Sequence, residues 1–245
     1  MSDQLEGRNP VWECLSRGRR AVHRVLIDQG AGQDARLTNI RREADSRGVS
    51  VRVVHRKVLD DMAQGRVHNG VIAIVEPLPK WTTKQVIDSI FDKGEDPFLI
   101  LMADCSYEHN LGAVLRSALG FGAHAVILPT RKGAAVSPVV QRVAMGAAEV
   151  VPIVREGLNA SLKHIKKAGI PVAGAAMGGT PMGDVRMSGS MAILMGGEGA
   201  GISEQLLGKC THKVSIPLAG QLESLNVSVA AAVLMYEKRR QDGWF

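Results

Sequence analysis

Aromatic residues are scarce: Phe, Trp and Tyr together make up 4% of the 245 residues. That disfavours a nucleic-acid platform of rings stacked on a sheet. Cysteine is rare too. Cys14, Cys105 and Cys210 are odd in number, far apart and form no CxxC pair, so neither a disulfide framework nor a zinc site is readable from their spacing. Cys210 and His212 lie close but have no partner pair, and the expectation is reduced, structural cysteines and no metal. Long apolar runs are missing, none approaching the roughly 20 residues of a membrane helix. The opening MSDQLEGRNP is polar and mixed in charge, unlike a signal peptide, so a cytoplasmic protein with no membrane partner is expected. Two phosphate-binding signatures are absent as well. No GxGxxG follows the first strand of the larger half, and GISEQLLGK has the wrong spacing for a P-loop. Dehydrogenase and P-loop readings lose their main support.

What is present is ordinary globular composition, 45% apolar and 22% charged, in a chain long enough for one large or two small domains. The formal net charge is +6. Residues 1–80 hold 14 Lys and Arg against 10 Asp and Glu, and twelve of those cations are Arg, including Arg17, Arg19, Arg20, Arg24, Arg41 and Arg42. Guanidinium forks match phosphates and stack on bases, which points to RNA; a solvated helical surface is the alternative that charge alone leaves open.

Residues 1–76 read as a small α/β unit. Asn9 and Pro10 open a helix over NPVWECLSR, VHRVLID follows as a strand, and DARLTNIRREADSRG is a helix stopped by Gly48. VSVRVV and GVIAIVEP are further strands. Pro77 and Pro79 mark a linker over 77–96, with a helix in KQVIDSIFDKG. From 97 to 245 short apolar strands (FLILMA, HAVILP, EVVPIV, IPVAGAA, MAILMG, HKVSIP) alternate with helices near 111–120, 137–146, 157–168 and 225–240. That pattern predicts a parallel sheet covered on both faces.

Chemistry gathers in three places. LMGGEGAGI puts Gly196, Gly197, Gly199 and Gly201 directly after a buried strand, where backbone can turn and approach a ligand closely, while Glu198 argues against a plain phosphate cradle. VSIPLAGQLESLNVSVAA ends a strand at Pro217 and opens a nearly all-apolar helix, with Ser224 and Asn226 at its mouth. HNLGAVLRSALG offers Asn110 as a helix cap and places Arg116 among apolar neighbours, where it either pairs with an acid or serves an anionic or oxygen-rich substrate.

Together these pieces resemble the three motifs of the SpoU (TrmH-type) RNA ribose 2'-O-methyltransferases, within the knotted SPOUT class. The matching residues are Asn110, Gly112 and Arg116; GGEGAGI at 196–202; and IP…SLNVSVAAA at 216–232. Order and spacing agree over about residues 97–240, and the third motif is the most specific. EGRNPVWECL and VHNGVIAIVEP resemble the L30e-like substrate-binding domain attached to some members. The layout is similar to the members that methylate a guanosine ribose of 23S ribosomal RNA. The resemblance implies a Rossmann-like α/β domain with a deep trefoil knot, S-adenosylmethionine as methyl donor, an RNA substrate and a homodimer. It implies catalytic roles for Asn110, Arg116, Glu198, Ser224 and Asn226, and donor contacts at Leu194, Gly196, Gly197, Gly201, Ile216, Leu218 and Leu225. Tyr107-Glu108 stands where close members carry Asp-Pro, which bears on nucleotide specificity. Ribose methylation of transfer RNA, and a non-catalytic RNA-binding assembly protein, are the alternatives.

Overall fold

The computed structural model describes residues 3–32, 34–131, 133–197, 199, 201–220 and 224–245. The first elements are β1 (Asp3–Glu6), α1 (Arg8–Arg17), β2 (Val22–Asp28), α2 (Ala35–Ser46), β3 (Ser50–Val54), α3 (Arg56–Ala63) and β4 (Val71–Val75). Then come α4 (Thr83–Phe91), β5 (Phe98–Met102), α5 (Glu108–Gly120), β6 (Ala125–Leu128), α6 (Pro138–Val143) and a 3-10 turn at Ala147–Glu149. The last are β7 (Ile153–Arg155), α7 (Leu158–Lys167), β8 (Val172–Pro181), β9 (Met191–Met195), α8 (Glu204–Leu207), β10 (His212–Ser215) and α9 (Val227–Gln241). These elements form two compact units. One holds Met1–Pro79 together with Ala135–Val150, and the other holds Lys80–Ala134 with Val151–Phe245.

The first unit is built on a sheet of order β1-β4-β2-β3. β3 runs parallel to β2, and the other pairs are antiparallel. Alternation along β2 sends Val25 and Ile27 to a core shared with Val11 and Leu15 of α1 and Leu37 and Ile40 of α2. Leu26 goes to the other face, under Leu59 and Ala63 of α3. The start of α1 differs from the expectation: Gly7, at φ 102°, is the cap, and Asn9 instead points its amide at the Met145 sulfur, 3.3 Å away. Pro10 is tolerated there because first-turn N–H groups have no intrahelical acceptor.

The segment Ala135–Val150 completes this unit. Ser137 caps α6 by accepting from the Val140 amide, and the chain then buries Glu149 against Arg20. Both side chains are 1% exposed. The Arg20 Nε donates to Glu149 Oε2 at 3.0 Å and Nη2 donates to Oε1. The guanidinium also reaches Gln141 Oε1 at 2.9 Å, Asp3 Oδ2 at 3.1 Å and the Glu76 carbonyl at 2.8 Å. Burial, and then the Glu149 charge, push the nearby Cys14 thiol up to about 12, against the pull of Arg20. Much of the arginine excess is therefore structural. Arg8 pairs with Asp34, Arg17 with Glu13, Arg66 with Glu6, and Arg19 donates to the Val150 carbonyl. Arg24, Arg41 and Arg52 are exposed.

The second unit is the parallel sheet that the apolar strands announce, of order β10-β8-β9-β5-β6-β7 with every neighbouring pair parallel. One face packs Leu99, Leu101, Ile127 and Leu194 against Val86, Ile87 and Ile90 of α4 and Leu158, Leu162 and Ile165 of α7. The face carrying Phe98 meets α9, where Lys238 Nζ and Arg239 Cζ stand 5.0 and 4.9 Å from its ring centroid. Among the described residues no helix is long and apolar enough to cross a membrane.

Candidate active site

At the carboxyl edge of the second unit's sheet lies a cavity of about 820 Å³. Loops after three strands and the first turns of two helices wall it: Gly196–Ile202 after β9, Ser215–Leu218 after β10, and Ala175–Met177, which bulge out of β8 where its register on β10 shifts. Tyr107 and Asn110 close one side, and Ser224–Val227 with Ala230 close another. Such an edge is where open parallel sheets hold their ligands, because the strand-to-helix loops converge there.

The glycine loop is shaped by its own backbone. Gly197 N donates to Gly201 O at 2.9 Å and Gly201 N returns to Gly197 O at 3.3 Å, closing a tight loop. A Cβ on Gly196 would stand 2.9 Å from the Gly201 backbone, and one on Gly197 would stand 2.8 Å from Asp104 Cβ. Both positions thus need glycine before any ligand is considered, a reason that differs from ligand approach alone.

The two asparagines meet. Asn226 is the N-cap of α9, its Oδ1 accepting from Ser228 N at 2.8 Å and Ser228 Oγ at 2.6 Å. That fixes which end of its amide is left, and Nδ2 donates to Asn110 Oδ1 at 3.1 Å. Capping and site formation are one arrangement, not alternatives. Asn110 itself is no cap: Tyr107 occupies that position on α5, and Asn110 sits one turn inside, its amide donating to the Tyr107 carbonyl at 3.1 Å.

Of the expected site residues, Asn110, Gly196, Gly197, Gly201, Ile216, Leu218, Ser224, Leu225 and Asn226 line this cavity. Leu194 does not; it is fully buried in the sheet core, and its neighbour Met195 faces the cavity instead. Glu198 lies outside the described residues. Arg116 is exposed and is not in the lining. Six residues after Asn110 amounts to about 120° round the helix, so the two side chains leave α5 on different faces. Tyr107, Met177 and Glu204 belong to the lining and carried no signal in the sequence beyond Tyr107's place beside the first motif. No group of three or more His, Cys, Asp and Glu able to hold a metal ion occurs among the described residues.

A parallel α/β sheet with a cavity of this kind at its carboxyl edge, joined to a small α/β unit, defines a two-unit enzyme of the RNA-methylating class. The profile of the SpoU rRNA methylase family matches residues 97–236, and that of the RNA 2'-O ribose methyltransferase substrate-binding domain matches residues 4–81. The 23S rRNA (guanosine-2'-O-)-methyltransferase RlmB of Vibrio vulnificus (strain CMCP6) is 40% identical over 211 residues, 85% of this chain and 85% of that protein. RlmB of Escherichia coli (strain K12) is 35% identical over 243 residues, 98% of this chain and 99% of its own length. In fold, the chain is similar to an AdoMet-bound rRNA methyltransferase from Sinorhizobium meliloti, with TM-score 0.82 and 22% identity over 98% of this chain and 87% of that one. The chain belongs to the SpoU rRNA methylase family.

Proposed function

We propose that this protein transfers a methyl group from S-adenosylmethionine to the ribose 2'-hydroxyl of a guanosine in 23S ribosomal RNA, acting in the cytoplasm as a homodimer. The observation that carries this reading is the charge of the cavity. Among the described residues its lining holds no Lys or Arg, and its one carboxylate is Glu204. A cation-free cavity is a poor home for a polyphosphate and a good one for a nucleoside bearing a positive sulfonium. Its volume lies within the roughly 300–1,000 Å³ of small-molecule sites. Gly196, Ile216 and Leu225 are the proposed wall for the adenosine, in loops that the implied trefoil knot would bind together.

The bound donor supplies an already activated methyl group, so orientation carries much of the rate. The attacking hydroxyl sheds a proton and builds negative charge, which needs polar groups within hydrogen-bond reach. Asn110 and Asn226 hold one another at the cavity mouth and orient that hydroxyl, with Ser224 beside them. Glu198 orders the glycine loop in this scheme. Arg116 stabilises the developing charge or a neighbouring phosphate, since a guanidinium stays protonated in proteins. It lies outside its own chain's cavity, so in the proposed homodimer the second copy presents it.

Ribose-methylation mapping of ribosomal RNA from cells with and without the gene tests the substrate; no lost guanosine methylation would overturn it. Mixing inactive Arg116→Ala and Asn226→Ala chains tests the dimer. Restored tritium transfer is expected, because half of the sites in a mixed dimer regain both residues. Mixtures as inactive as their parents would return Arg116 to its own chain.

A further inference from the structure

Tyr107 is the part of the cavity lining that the scheme above leaves without a task. Its side chain is 68% exposed in a chain with only two tyrosines. With Met177, at 76%, it is among the most exposed large apolar side chains of the protein, and both line the cavity. A large ring left in water at the mouth of a cavity gains nothing from folding, whereas a partner with a flat apolar face would cover it.

The ring is presented from a fixed place. Asn110 and Leu111 both donate their amides to the Tyr107 carbonyl, at 3.1 and 3.2 Å, so Tyr107 stands at the first turn of α5. The loop before it is tied by Ser106 Oγ to Asp104 Oδ1 at 3.0 Å and by Ala134 N to the Cys105 carbonyl at 2.7 Å. A separation of three residues puts Tyr107 and Asn110 on the same side of the helix. Asn110 in turn holds Asn226. One rim therefore carries an aromatic face beside the polar pair. The described lining lacks a cation to grip a phosphate, so a nucleotide entering here must be held by its base.

Resting on the ribose-methylation reading, the geometry points to Tyr107 as the platform on which the base of the target nucleotide stacks, bringing its 2'-hydroxyl to the Asn110–Asn226 pair. The target must then leave its own stack and lie splayed from the RNA. Every base has a π-face, so Tyr107 contributes grip and position while base identity is read elsewhere.

The test is steady-state methyl transfer to transcribed 23S ribosomal RNA by wild type, Tyr107→Ala and Tyr107→Phe, with S-adenosylmethionine affinity of each measured by calorimetry. Tyr107→Ala should raise the KM for RNA about 5- to 140-fold, the loss expected of one stacked base, with a smaller change in kcat. Tyr107→Phe should restore it, because the ring face is kept, and donor affinity should be unmoved in both. An unchanged RNA KM in Tyr107→Ala, beside an active wild type, overturns the role of Tyr107 and leaves the enzyme reading intact. Weakened donor binding in Tyr107→Ala assigns the ring to the donor and overturns it too. A wild type that transfers no methyl group to RNA overturns both.

Discussion

Replacing Glu149 by alanine removes the carboxylate that faces Arg20 inside the first unit. The guanidinium stays charged and stays buried. It keeps Gln141 Oε1 at 2.9 Å, the Glu76 carbonyl at 2.8 Å and Asp3 at 3.1 Å, but Asp3 is 39% exposed and its attraction is screened by water. Removing one partner of a buried pair costs about 3–5 kcal/mol, and these remaining partners put Glu149→Ala near the lower end. At about 2–4 °C per kcal/mol for a chain of this size, a loss of about 3 kcal/mol lowers the melting of the first unit by about 6–12 °C. Trp12, packed on that unit's core, reports it once Trp81 and Trp244 are changed to Phe. Cys14 gives an independent readout. Its thiol is held up by burial and by Glu149 against Arg20, so in Glu149→Ala the guanidinium acts unopposed and alkylation of Cys14 at fixed pH should quicken. The double change Arg20→Met with Glu149→Leu removes both charges and should recover most of the stability. A loss under about 1 kcal/mol in Glu149→Ala, in the range of an exposed pair, would refute the reasoning.

Asn226→Ser keeps a capping oxygen but cannot span the distance to Asn110, so methyl transfer should fall by about 10²-fold or more while the melting temperature barely moves. An equal loss of both would make Asn226 a cap and nothing else. Gly197→Val places a Cβ 2.8 Å from Asp104 and should distort the loop enough to abolish S-adenosylmethionine binding in calorimetry; retained affinity would show that the loop adapts. His124 is held below its ordinary value of 6.5 by burial, against the opposing pull of Glu95. The folded chain then takes up this proton less readily than the unfolded chain. Stability should be fully present above pH 6.5 and fall as pH drops through the window beneath it, and urea titrations of His124→Gln should lack that component.

The strands of the second unit were legible because buried parallel strands are short continuous apolar runs, and FLILMA and MAILMG have no other use for that composition. β1, α3 and α8 went unread: each is too short to establish a period. The placement of 135–150 in the first unit was unreadable for another reason. Arg20 and Glu149 are separated by 129 residues, and nothing local distinguishes Glu149 from any other carboxylate. The site was legible through its motifs rather than its periodicity. Asn110 and Asn226, 116 residues apart, were paired by resemblance, and the hydrogen bond between them then follows from the cap of α9. Leu194 shows the limit of that transfer, since strand alternation turns it into the core, and Arg116 shows it again, since helix rotation carries it off the face of Asn110.

A ribosome makes this chain from one end, and the first unit is not finished when residue 79 emerges. Its last piece ends at Val150, 71 residues later, which at about 5–20 residues per second is a wait of about 4–14 s. During that time Arg20 lacks Glu149, and α1 lacks the turn at Ala147–Glu149 that packs on it. The nascent first unit stays open until the strand and helix of β5 and α5 have also been made, so the two units complete themselves nearly together. No single cut in the chain separates two self-sufficient folding modules, and exchanging the first unit between relatives means carrying two stretches of the gene.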